Sequence, residues 1–244
     1  MRILHLSDTH FARSNPWLTR FFKRLAAEEY DLIVLTGDII DCEEGIHSCV
    51  ETLKWLKAKR GFYAVFGNHD YYDYHLKDIF IHNFPGQPKP ETLNPSEVLK
   101  EALKNTGVSV LFNETREVMV REVPVLIHGL DDPTTGRANV RETLSRFDPQ
   151  KINLLLTHTV DAFLDIGEGE IDVSFSGHSH GGQIRLPFLG PILTHTIMGR
   201  AYAAGIVRVK GAVCSISRGI GYGRFLPFRL LCPPEAVILD VYGV

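Results

Sequence analysis

Long hydrophobic runs are absent from this chain. No stretch of its 244 residues approaches the ~18 to 20 consecutive apolar residues of a membrane-spanning helix. The opening MRILHLSDTH has one arginine and few apolar residues before its first aspartate, which fits neither a signal peptide nor an anchor, so a cytoplasmic protein is expected. Excess positive charge is absent too. Lys and Arg number 26 against 29 Asp and Glu, for a net charge of −3; duplex nucleic acid, whose binding draws on a basic surface, is not indicated. Cysteine is sparse. Cys42, Cys49, Cys214 and Cys232 lie far apart without C-x-x-C spacing, which argues against a zinc knuckle and a disulfide framework and for reduced thiols. With no repeat, no low-complexity tract and no linker, one domain over residues 1–244 is expected.

What is present is an alternation. The runs RILHLS, DLIVLTG, GFYAVFG, VPVLIHG and INLLLTH are separated by helix-like segments at 16–29, 44–59 and 139–147, the rhythm of an α/β protein whose strands are buried on both faces. Residues 81–96 carry four prolines and read as an irregular excursion into a helix capped by Ser96. After residue 170 the runs DVSFSG, GGQIRLP, AGIVRVKG, AVCSISRG and EAVILDVY are short and punctuated by glycine, which suits antiparallel strands. The expected architecture is α/β, with two sheets sharing one core.

The polar residues that end the apolar runs form a pattern. HLSDTH delivers Asp8 and His10; IVLTGDIID delivers Asp38 and Asp41; YAVFGNHD delivers Asn68, His69 and Asp70; LLLTHT delivers His158; SFSGHSH delivers His178 and His180. In open α/β sheets, ligands bind outside the carboxyl ends of the strands. Carboxylate, amide oxygen and imidazole without thiolate suit Mn, Fe, Zn, Co or Ni, with manganese the first choice. The donors exceed the needs of one ion. Two ions bridged by a carboxylate and a hydroxide would use them all, in the arrangement that clamps a phosphoryl group during in-line attack.

These blocks resemble the calcineurin-like metallophosphoesterases: D-x-H at Asp8 and His10, G-D-x-x-D from Gly37 to Asp41, G-N-H-D from Gly67 to Asp70, His158, and G-H-x-H from Gly177 to His180, in order. GHSHGGQI and the tail RGIGYGRFLPFRLLCPPEAVILDV resemble a bacterial phosphodiesterase branch, often membrane-associated. The resemblance implies a four-layer α-β-β-α sandwich of two packed, mostly mixed sheets flanked by helices. It implies one ion on Asp8, His10, Asp38 and His180, a second on Asn68, His158 and His178, and Asp38 as the bridge. It places His69 at the scissile phosphate with Asp70 orienting its ring. Asp41 itself reads as a supporting or turn residue rather than a ligand. The implied activity is hydrolysis of a phosphodiester or pyrophosphate bond in a small or lipid-linked phosphate ester, by attack of a metal-bridging hydroxide. The alternatives are a nuclease, which the charge disfavours, and a non-catalytic metal-binding scaffold, which has no use for His69 and Asp70. Cys42 stands where the protein Ser/Thr phosphatase branch commonly has arginine, which weakens a phosphoprotein reading.

Other residues are left open. His128 and His195 are candidates for the pocket wall, though surface or core roles are commoner for such histidines. Arg200, Arg218, Arg224 and Arg229 are four candidates for a phosphate grip, without a basis for choice. Residues 223–231, GRFLPFRLL, lack helical periodicity and are expected to cover the core, ahead of an interfacial patch in peripheral membrane contact.

Overall fold

The run LIVLT has no polar face, and in the computed structural model of the chain, which describes residues 1–12, 15–75, 78 and 89–242, every one of its positions is buried. A strand apolar on both sides belongs inside a sheet covered on both faces. Here β1 (Arg2–Leu6), β2 (Leu32–Thr36), β3 (Phe62–Val65) and β4 (Val108–Val110) run parallel in that order. A late strand, Val237–Asp240, closes the β1 side in antiparallel register.

The second sheet begins much earlier than residue 170. Its members are β5 (Glu114–Val120), β6 (Val123–Gly129), β7 (Ile152–Leu156), β8 (Val173–Ser176) and the pair β11 (Gly205–Val209) and β12 (Ala212–Ile216), while β9 (Arg185–Leu186) and β10 (Gly190–Pro191) form a separate ribbon. Strand order is β11-β12-β8-β7-β6-β5, and β6, β7, β8 and β12 are parallel, with antiparallel β5 and β11 at the edges. The expectation of antiparallel strands in the last third holds for β9 with β10, β11 with β12 and the Val237–Asp240 strand with β1, and is corrected for the pairing of β8 with β12, which is parallel. Between β8 and β11 the chain returns through turns and the β9–β10 ribbon rather than a long helix, so the usual βαβ signature of parallel pairing is missing.

The two sheets face one another across a core where Ile3, Val34 and Val65 meet Ile127, Leu156 and Phe175. The outer face of the first sheet packs on α1 (Pro16–Leu25), α2 (Gly45–Leu53) and, beyond the single turn α3 (Asn68–Tyr71), α4 (Ser96–Asn105), through Phe22, Leu53 and Leu103 among others. Helix α1 starts where Asn15 accepts hydrogen bonds from the amides of Trp17 and Leu18, with Pro16 in the first turn, where its missing N–H costs nothing. Ser96 is the first residue of α4; Pro95 occupies the cap position and makes no side-chain bond. Residues 81–88 of the proline-rich excursion lie outside the described residues.

The outer layer on the second sheet is thinner. The helix expected over 139–147 shrinks to α5 (Val140–Thr143) and a 3₁₀ turn at Leu144–Arg146. A second 3₁₀ turn, Val160–Leu164, supplies Phe163 and Val160 against Leu155 and Ile216. The architecture is thus two packed mixed sheets with helices outside, full helices on one side and single turns on the other.

Candidate metal centre

Five strand exits meet at one edge. β1 runs into Ser7–His10, β2 into Gly37–Asp41, β3 into α3, β7 into His158, and β8 into the loop bearing His178 and His180. The turns are sharp: Asp8, His10, Asp38, His178 and His180 have φ values of 49°, 44°, 50°, 67° and 49°. Each such left-handed non-glycine residue costs on the order of 1 kcal/mol or more, and such strain gathers at functional sites. The glycines of the motifs serve close approach as much as turning. A Cβ on Gly67 would collide with Asp38 and the His158 ring, and one on Gly177 with Ser7 and Asp8.

Two donor groups that share Asp38 result, beside a third of His10, Asp41 and His69. Ligand atoms of Asp8, His10, Asp38 and His180 lie within 4.8 Å of one another, and so do those of Asp38, His158 and His178. Asn68 joins the second group, its Oδ1 standing 3.2 Å from His158 Nε2. Asp38 belongs to both, with Oδ2 3.7 Å from His10 Nε2 and 3.3 Å from His158 Nε2. Its other oxygen accepts the His69 amide at 2.9 Å. Asp8 is held by the His178 amide at 3.0 Å and the Ser7 hydroxyl at 2.6 Å.

Outer partners aim these donors inward, as they do for metal-binding imidazoles. His158 Nδ1 donates to the Thr36 carbonyl at 3.0 Å, which aims Nε2 at Asn68, Asp38 and, at 3.0 Å, His178 Nδ1. His10 turns Nδ1 to Asp41 Oδ1 at 3.3 Å and Nε2 to His180 Nε2 at 3.1 Å. Asn68 donates Nδ2 to the Tyr74 hydroxyl at 3.0 Å, so its carbonyl oxygen points at the group. Against burial, Asp38 draws His158 well above the usual imidazole range, and Asp41 and Asp38 raise His10 in the same way, so in each group a ring proton supplies the positive charge that a bound cation would supply. The oxygen and nitrogen donor set, with no sulfur, fits a divalent transition metal.

Electrostatics agree with that fit. Burial, then charge from His158, holds His178 well below the usual imidazole range, and burial, then charge from His10, does the same for His180; both rings are neutral and keep a lone pair. Burial alone would raise Asp38, but His158, His69 and His10 outweigh it and hold the carboxyl well below its usual range. Asp41 is likewise held low against burial by His10 and His69.

The sequence misassigned one carboxylate. Asp70 does not reach the His69 ring: its Oδ1 accepts the Ile39 and Ile40 amides at 2.8 and 3.1 Å, and its Oδ2 the Gly67 amide at 2.8 Å. It clips the β2 and β3 exits together. Burial, then the Asp38 charge, pushes its pKa up to about 7. The carboxylate beside His69 is Asp41, whose Oδ1 is 3.0 Å from His69 Nδ1, close enough for charge pairing though outside hydrogen-bond angles. The His69 side chain is 19% exposed and packs on Tyr74 with ring centroids 4.5 Å apart. Tyr74 therefore supports both Asn68 and His69, a role that no motif signals.

Among the arginines, Arg229 reaches the centre, with its guanidinium 3.2 Å from His180 Nδ1. Arg224 is taken up by Asp41 and Asp73, Arg218 pairs with Glu235, and Arg200 is exposed. His195 stands at the rim, its ring 6.0 Å from that of His178. His128 is a core residue, bonded to Thr115 and Asn153 at 2.8 and 3.1 Å. All four cysteines are free and buried; burial lifts Cys42 to about 11, away from the thiolate that a metal requires. A cavity of about 540 Å³ opens beside His10 and Asp41, walled by Phe11, Trp17, Tyr222 and Phe228 with Arg224 and Arg229. No helix among the described residues is long and apolar enough to cross a membrane.

Comparison with known proteins points the same way. The chain is 32% identical over 215 residues to the metallophosphoesterase YkuE of Bacillus subtilis, covering 86% of this chain and 68% of that one. It is 27% identical to the UDP-2,3-diacylglucosamine pyrophosphatase LpxG of Chlamydia muridarum, over 98% of this chain and 83% of the relative. It is 26% identical to the phosphodiesterase YaeI of Escherichia coli, over 98% and 82%. Residues 1–182, which include every donor described above, match the calcineurin-like phosphoesterase family, and the chain belongs to that family.

Proposed function

We propose that the chain, as one domain, hydrolyses a phosphodiester or pyrophosphate bond with two divalent ions, manganese first among them. Asp8, His10, Asp38 and His180 hold one ion, and Asn68, His158 and His178 hold the other with Asp38 shared. The observation that carries this reading is Asp38 Oδ2 standing between His10 and His158. When bound, the ions supply Lewis-acid stabilisation of phosphoryl charge and a nucleophile active at neutral pH.

The chain's own residues do the rest. Asp41 faces Nδ1 of His69 and fixes the ring, which leaves Nε2 to pass a proton to the departing oxygen. Asp70 holds the Gly67 turn, and through it the backbone of Asn68 and His69. The apolar walls of the cavity beside His10 favour a substrate that carries an apolar group near its phosphate, a lipid-linked ester, over a nucleic acid. That preference parallels the acylated substrate in the name of LpxG.

The test is hydrolysis of a bis-aryl phosphate and of a nucleotide-linked pyrophosphate across Mn, Co, Ni, Zn and Mg. Turnover that chelation abolishes and metal restores is expected. Stoichiometric metal binding without turnover on any substrate would make the protein a scaffold.

A further inference from the structure

Charge is segregated along this chain. Residues 173–234 carry seven of the 26 Lys and Arg and none of the 29 Asp and Glu, a cationic stretch in a chain of net charge −3. Among the described residues no carboxylate pairs with Arg185, Arg200 or Arg208 of this stretch. Exposed apolar side chains gather in the same stretch. Phe188, at the turn of the β9–β10 ribbon, is 108% exposed, with Leu189 at 66% and Leu193 at 62%.

Residues 223–231 join that ribbon instead of covering the core. Ile184 bridges Leu230, the Arg185 amide donates to the Leu230 carbonyl at 3.0 Å, and Gln183 Nε2 donates to the carbonyls of Leu226 and Phe228 at 2.7 and 2.9 Å. These bonds seat the segment while Phe228, Leu230 and Leu231 stay open to solvent at 53%, 46% and 62%. The expectation of a core-covering connection is thus corrected. Phe228 also walls the cavity beside His10 and Asp41, so the exposed surface runs into the candidate site. Exposed apolar groups gathered in this way mark an interaction surface.

We propose that this ribbon docks on an anionic bilayer, with Phe188 and Leu231 entering the acyl boundary and Arg185 of β9, which no carboxylate neutralises, facing the headgroups. Apolar insertion and electrostatic attraction each add to such interfacial binding. Pairing with a second copy would set this cationic stretch against itself, which like-charge repulsion opposes. The inference does not depend on turnover, so it stands or falls apart from the hydrolase reading.

The experiment is co-sedimentation of the metal-loaded full chain with vesicles of phosphatidylcholine alone or with phosphatidylglycerol. Binding about tenfold or more stronger to the anionic vesicles and falling with salt is expected. The pair Phe188→Ser and Leu231→Ser, both at exposed positions, should weaken that binding about tenfold while hydrolysis of a soluble bis-aryl phosphate is unchanged. Equal binding to both vesicles, no binding, or wild-type binding by the double variant overturns the proposal. So does a wild-type dimer in light scattering that the double variant dissolves, which would reassign the ribbon to contact between copies.

Discussion

The metal-facing edge and the surface formed by the β9–β10 ribbon with residues 223–231 break the ordinary rule of burial in opposite directions. At the edge, Asp8, Asp38, Asp70 and His158 are buried polar groups; on that surface, Phe188, Leu230 and Leu231 are exposed apolar ones. The edge is over-determined, with nearly every donor held by a backbone amide, a carbonyl or a neighbouring ring. The ribbon is held by its polar groups, through backbone bonds, Gln183, Arg185 and Arg229, while Phe188, Leu230 and Leu231 stay open to solvent. Violations of local consistency concentrate where a protein meets something else. The edge presents acceptors fit for cations and the ribbon presents apolar groups fit for an apolar phase.

Substitutions should separate the two regions. Asp38→Asn removes the charge shared by both donor groups and should cut metal-dependent turnover by more than about 10³-fold, beyond the roughly 10- to 100-fold typical of outer-partner losses. His69→Ala should reduce turnover on a diester with a poor leaving group by about 10²- to 10⁴-fold, with metal content as in wild type by elemental analysis. The loss should shrink with an activated aryl leaving group if His69 protonates the departing oxygen. Asp41→Asn, which loosens His69 and His10, should cost about 10- to 100-fold.

Asp70→Asn should act on stability. An amide cannot accept three backbone N–H bonds as a carboxylate does, so about 1 to 3 kcal/mol should be lost in urea denaturation. The pH dependence has a sign. In the metal-free protein folded Asp70 keeps its proton up to about pH 7, whereas the unfolded chain releases it near an ordinary carboxylate pKa of about 4. The folded state therefore binds more protons in that window, and this contribution to stability falls as pH rises through it. The Asn variant should lack that slope. Phe188→Ser, on the ribbon, should change stability by no more than about 0.5 kcal/mol and leave soluble-substrate turnover intact; a large loss in either would mean that the ribbon packs as part of the core.

The edge was far more legible in sequence than the ribbon. Asp8, Asp38, Asn68, His158 and His178 each follow an apolar run that could be little but a buried strand, so strand ends and polar blocks located one another. Partners across space were not legible. Asp41 and His69 lie 28 positions apart, while Asp70 is adjacent to His69 in sequence, yet neighbouring residues of a helical turn such as α3 do not face each other. The parallel pairing of β8 and β12 was hidden because no long helix connects them, and short glycine-bounded strands look alike in either direction. Residues 223–231 misled because apolar composition signals burial, and only their hydrogen-bonded seat on the β9–β10 ribbon reveals that the side chains remain outside.

The central claim is that Asp38 joins two metal sites. Elemental analysis of the wild type, Asp38→Asn and His10→Ala after equilibration with manganese tests it most directly. The account predicts two ions per wild-type chain, both lost or weakened together in Asp38→Asn, and one retained in His10→Ala. A wild type that saturates at one ion, or an Asp38→Asn variant that keeps one ion with wild-type affinity, would contradict it.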